Sequence, residues 1–107
     1  MSYDQKLVGR NLRHDRLALR MTQQRTAEQA GLSLSFYQKL ERGEAGMSVQ
    51  TLGRLCRALY IEPASLFSSD PADRGPHPRC VAQAILELPP DRQEPILALI
   101  RVFLGDQ

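Results

Sequence analysis

Between Asp4 and Arg20, Leu7, Val8, Leu12 and Leu19 recur one or two helical turns apart, with Arg10, Arg13, Arg16 and Arg20 between them. That spacing predicts a first amphipathic helix. Thr22 offers an N-cap hydroxyl to a second helix over 23–30, and Gly31 supplies the left-handed stop. Ser33 caps a third helix over 34–42 that Gly43 ends, and Leu32 before the cap can staple onto Tyr37. After the polar loop 44–46, Met47 and Ser48 repeat the device, with Met47 placed to staple onto Leu52. The fourth helix, about 49–59, carries Leu52, Leu55, Cys56 and Leu59 at i, i+3, i+4 and i+7, the spacing of one buried face. Pro63 suits the first turn of a short fifth helix, with Leu66 and Phe67 closing the base of the core.

The pattern then breaks. Residues 68–79 hold Pro71, Gly75, Pro76 and Pro78 among polar neighbours, the composition of a linker, so the core domain is expected to end near Phe67. Val81, Ala84, Ile85 and Leu88 share a helical face, and Pro89-Pro90 interrupts it. Asp91 and Glu94 resemble a capping box for a last helix to about Leu104, in which Pro95 falls late for a first-turn proline. The reading is all-α: a five-helix bundle over 1–67, a linker over 68–79 and a C-terminal two-helix hairpin over 80–107. In the last helix Ile96, Leu97, Leu99, Ile100, Val102, Phe103 and Leu104 leave only Arg101 as a polar interruption. One neighbouring helix cannot cover that much apolar surface. Folding back onto the domain's own core would cover it, and so would a second copy. The separable linker favours a homodimer with Ile96, Leu97, Ile100, Phe103 and Leu104 at the interface.

Composition narrows the function classes. A chain of 107 residues with 42% hydrophobic and 24% charged content supports one core plus an appendage. No apolar run approaches the roughly 20 residues of a membrane span, and the first six residues lack a signal-peptide layout, so the expected location is the cytoplasm. Cys56 and Cys80 are then expected to be reduced thiols, Cys56 as core filler. His77 and Cys80 have a ligand-like spacing without a second pair, and no metal or cofactor is expected. His14 and Asp15 read as solvated helix positions. With no nucleophile motif and no Gly-rich phosphate loop, the chain is not expected to be an enzyme. Charge is uneven: residues 1–67 carry ten Lys/Arg against six Asp/Glu, and residues 68–107 four against six. A basic front half suits a polyanionic partner.

The residues make the helix pair more specific. Met21-Thr22-Gln23-Gln24-Arg25-Thr26-Ala27-Glu28-Gln29-Ala30-Gly31-Leu32-Ser33, followed by Phe36-Tyr37-Gln38-Lys39-Leu40-Glu41-Arg42-Gly43, resembles the phage-repressor/Cro-type (XRE-type) helix-turn-helix family of bacterial and phage regulators. The likeness runs through Ser48-Val49-Gln50-Thr51-Leu52 to Phe67 and covers about Leu7 to Phe67 without a gap. It depends on the Thr-Gln opening, the Ala-Gly turn and the Leu-Glu-Arg-Gly ending in that order. Ala27 is small where the second and third helices cross, Gly31 turns the chain and Leu40 drops into the core.

The resemblance implies a repressor-like bundle that binds double-stranded DNA as a homodimer on an inverted-repeat operator. Its third helix would lie in the major groove while the second crosses the phosphate backbone. The positions implied at the DNA are Leu34, Ser35, Gln38, Lys39 and Arg42, with Gln23 on a phosphate beside the helix N-terminal amides and Arg25 as a further backbone contact. Lys39 can donate to guanine, Ser35 can donate or accept, and Leu34 can meet a thymine methyl. Arg16 and Glu41 match family positions that form a largely buried ion pair.

Three departures stand out. Thr26 replaces a large aliphatic residue, Arg20 stands where the turn usually has Gly, and Glu44-Ala45-Gly46-Met47 lacks the common basic residues and Pro. The alternative function is a protein-interaction module, an antitoxin-type regulator whose C-terminal helices bind a protein partner.

Overall fold

The computed structural model describes residues 3–105, and every regular element among them is helical. They are α1 Gln5–Ala18, α2 Gln23–Ala30, α3 Leu34–Arg42, α4 Val49–Leu59, α5 Pro63–Leu66, a 3-10 turn Pro71–Asp73, α6 Pro78–Leu86 and α7 Pro90–Phe103. The starts of the first four helices follow from their caps. Side chains of Asp4, Thr22, Ser33 and Ser48 accept from backbone N–H groups of the first turn of α1, α2, α3 and α4 respectively. Pro63 occupies the first turn of α5. At the far end of α2, Gly31 takes a left-handed conformation, φ 69°, that other residues adopt only at a cost. Arg20 nevertheless sits at φ 57°, in the turn where the family usually has Gly, and Tyr60 does so at φ 56°.

The chain divides into two compact units, 1–77 and 78–107. In the first, Val8, Leu12, Ala27, Ala30, Tyr37, Leu40, Leu55, Cys56, Leu59, Ile61 and Leu66 form the core. Phe67 does not seal it as expected: it is 41% exposed, and its ring stands T-shaped to that of Tyr3 with centroids 5.5 Å apart. Tyr3 in turn accepts the Met47 N–H at its hydroxyl, 2.9 Å, which ties the start of the chain to the loop before α4.

The buried face of α1 differs from the apolar pattern that announced the helix. Alongside Val8 and Leu12 it buries Gly9, Asn11, Asp15 and Arg16. Asp15, expected in solvent, is fully buried; it accepts the Gly75 N–H at 2.8 Å and faces the Arg74 guanidinium at 3.3 Å. Burial pushes its carboxyl above the usual value of 3.8, against the opposing pull of Gly75 and Arg74. Asn11 donates to the carbonyls of Leu66 and Ser68, at 2.8 and 2.9 Å. Arg74 donates to the Ser65 carbonyl and the His77 N–H to that of Tyr60. Residues 68–77 are therefore strapped onto the first unit, which runs to His77 where composition places its end near Phe67. The stretch holds only the short 3-10 turn Pro71–Asp73, which Pro71 opens, and its prolines do not prevent packing.

The second unit is the pair α6 and α7, which pack on each other. Gln93 of α7 closes the turn between them by donating to the carbonyls of Leu86 and Leu88, at 3.2 and 2.7 Å. The expected capping box is absent. Pro90 opens α7, Pro89 is its cap without a side-chain bond, and Asp91 lies within the first turn. Pro95 sits inside the helix, so the Asp91 carbonyl loses its usual donor. No described residue of α6 or α7 is fully buried. No helix among the described residues is long and apolar enough to cross a membrane.

The tightest packing in the first unit is between α1 and α3. A Cβ built on Gly9 would lie 2.4 Å from the Glu41 carbonyl oxygen and 2.6 Å from that of Leu40. Neither backbone atom can move without shifting a helix. Gly9→Ala is expected to cost about 3 kcal/mol and to lower the melting temperature by at least 10 °C in a calorimetric scan, roughly the upper range for overpacking.

Candidate nucleic-acid interface

Packing of α3 sorts its residues into two faces. Tyr37 and Leu40 are buried against the core, whereas Ser35, Gln38, Lys39 and Arg42 fall at i, i+3, i+4 and i+7 along the opposite side. Ser35, Lys39 and Arg42 are exposed, and Gln38 and Leu34 are half-buried. This stripe lies beside the start of α2, where Gln23 is also half-buried.

Behind the stripe stands the Arg16–Glu41 pair, with side chains only 7% and 5% exposed. The fork is bidentate: Nε donates to Oε2 at 2.7 Å and Nη2 to Oε1 at 3.2 Å. The remaining nitrogen, Nη1, donates to the Met21 carbonyl at 2.9 Å, so one guanidinium holds α1, α3 and the chain entering α2. Burial pushes the Glu41 carboxyl up, but hydrogen bonds from Arg16 and Gln23, together with the nearby Tyr37 hydroxyl, outweigh it and hold the group below 4.5.

Gln23 is committed inside the protein as well as placed at the surface. Its Nε2 donates to Glu41 Oε1 at 3.1 Å, and its Oε1 accepts from Gln38 Nε2 at 3.2 Å. Spacing along the chain gives no sign of this, because the three residues meet only when α2 crosses α3. Arg42 also has a partner that sequence reasoning missed: its guanidinium engages the exposed Glu44 carboxylate, and its carbonyl accepts from Lys6 Nζ at 3.0 Å. The Arg42 bond holds the Glu44 carboxyl below its ordinary value. Thr26, another departure from the family pattern, is fully buried and returns its hydroxyl to the Thr22 carbonyl at 3.0 Å. Arg25 lies on the exposed side of α2.

Within the second unit, Ile96 and Leu97 are half-buried, while Ile100, Phe103 and Leu104 are exposed, Phe103 to 84%. Cys56 is buried in the core and Cys80 half-buried, and neither is bridged. No cluster of three metal-ligating side chains occurs among the described residues.

A family model described as a helix-turn-helix domain matches residues 7–66. Among solved structures, the chain is similar to the restriction-modification controller protein C.AhdI from Aeromonas hydrophila, with 36% identity and a TM-score of 0.58. That match covers 60% of this chain and 97% of the controller. No curated protein matches it.

The buried pair has a defined pH signature. Because the folded Glu41 value is depressed, its stabilisation is complete above 4.5 and is lost as pH falls towards the lower folded value. Glu41→Gln is expected to cost about 3 kcal/mol at neutral pH, the lower end for breaking a buried pair. In thermal melts against pH, the gap between the two proteins should narrow below pH 4.5; a constant gap would mean that the carboxylate charge is not what stabilises.

Proposed function

This chain belongs to the helix-turn-helix domain family, of the phage-repressor/Cro type, and from that membership we propose that it represses transcription as a homodimer on an inverted-repeat operator. It is a DNA-binding regulator. The observation that carries the finer reading is the stripe on α3: polar and basic residues at Ser35, Gln38, Lys39 and Arg42 face away from a core that buries Tyr37 and Leu40. Such a helix fits the major groove with donors and acceptors towards base edges. Lys39 donates to guanine, Ser35 meets a base or phosphate, and Leu34 offers apolar contact to a thymine methyl. The second N–H of Gln23 Nε2 and the first amides of α2 receive a phosphate, the natural ligand of a helix N-terminus. The restriction-modification controller, itself similar over this domain, supports a regulatory role.

Dimerisation is assigned to α7. Ile100, Phe103 and Leu104 are exposed and Ile96 and Leu97 half-buried, and in this reading a second copy covers them with the same residues. Reading both halves of such an operator requires two α3 helices about 34 Å apart, one DNA turn, and repression would follow from occlusion of a promoter.

Selection of bound duplexes from a random pool tests this directly. The full chain should recover an inverted repeat, and Lys39→Ala should lose preference at one base pair of each half-site. An Ile100→Asp, Phe103→Asp double variant should sediment as a monomer and recover half-sites weakly. No enrichment at moderate salt would instead favour the protein-interaction reading. Glu44→Gln should release Arg42 towards the backbone: affinity should rise several-fold at low salt and the salt slope should steepen by roughly one unit.

A further inference from the structure

We propose that Gln38 reads adenine, and that its amide is held in the required orientation by Gln23 through the buried Arg16–Glu41 pair. The assignment rests on the DNA-reading role of α3 proposed above. Arg16 only donates and the Glu41 carboxylate only accepts. Arg16 takes both Glu41 oxygens, and Oε1 is shared with Gln23, so the side chain of Gln23 must turn its nitrogen towards Glu41. Its Oε1 then faces Gln38, which must answer with Nε2. Reversing either amide would set oxygen against oxygen or nitrogen against nitrogen. Two amides that are symmetric in shape thus acquire a single polarity from a charge pair behind them.

Gln38 is left with one N–H and its Oε1 uncommitted, a donor beside an acceptor, on the stripe between Ser35 and Lys39. In the major groove, adenine presents the complementary pair, the N7 acceptor and the N6 amino donor. Guanine presents two acceptors, and O6 would oppose the Gln38 oxygen. A glutamine able to rotate could soften that conflict; this one gives up its bond to Gln23 if it does. Gln38 is therefore a specificity-determining residue and Gln23 its positioning residue, in addition to any phosphate Gln23 holds.

Duplex selection on the full chain and two variants separates these roles. The wild-type half-site should contain one position at which adenine is preferred by roughly 5- to 150-fold, the range of a good bidentate contact. Gln38→Ala should flatten that position and leave the others. Gln23→Met should weaken binding at every site through the lost phosphate contact and, in addition, erase the preference for adenine over guanine at that one position. If Gln38→Ala alters no position, or Gln23→Met lowers affinity uniformly while the adenine preference survives, the proposal is overturned. Failure of the wild type to select any site defeats the DNA reading itself and the adenine assignment with it. The relay has its own check without DNA: in NMR spectra, Gln23→Met should shift the Gln38 side-chain amide protons and speed their exchange. Unmoved resonances in a variant with an unchanged fold would eliminate the relay.

Discussion

The first unit depends on one buried charge pair. Arg16 projects from α1 into the space between α3 and the entry to α2, and Glu41 meets it there with both oxygens. In water such a pair contributes little. Here both side chains are almost wholly buried, so each charge is tolerable only with its partner in place, and the helices that carry them cannot separate cheaply. Because α1 approaches α3 closely enough to require Gly9, the pair also works at fixed range. The backbone contact supplies rigidity and the charges supply direction.

Polarity spreads outward from that point. The Glu41 carboxylate orients Gln23, and Gln23 bonds Gln38 on the face of α3 that points away from the core. A stabilising interaction in the interior and the chemistry displayed to a ligand are thereby coupled through three hydrogen-bonding groups. The acidic loop acts in the opposite sense: Glu44 occupies the Arg42 guanidinium at the end of the same helix, so any other anion would have to compete with a carboxylate for it.

A second tie holds the other side of α1. Asn11 and Asp15 take the backbone of residues 66–75, and this converts a Pro-rich stretch into a packed strap. Asp15 is buried at some electrostatic cost, with an Arg74 contact longer than that of the Arg16 pair. The two polar ties therefore differ in kind: one is a charge pair between helices, the other a carboxylate that mainly satisfies backbone and is assisted by Arg74.

Much of the helical framework was legible in the chain itself, because caps and stops act over three or four residues. Thr22, Ser33 and Ser48 mark starts, and Gly31 and Gly43 mark ends, so α2, α3 and α4 have the boundaries their sequences announce. The buried face of α1 was half legible. Val8, Asn11, Leu12 and Asp15 follow the helical repeat, and the repeat could have identified Asn11 and Asp15 as interior had polarity not argued the reverse. The last helix misled, since two prolines can begin a helix as readily as break one. What the sequence by itself determined was the local order of helices and the residue types on each. Tertiary structure alone decided which groups meet: the α1 backbone at Gly9 against that of Glu41, Asp15 against Gly75, Gln23 between Glu41 and Gln38. Those partners lie 15 to 60 residues apart along the chain. A hydrogen bond between distant side chains leaves no periodic trace, and it exists only once the core has brought its helices together.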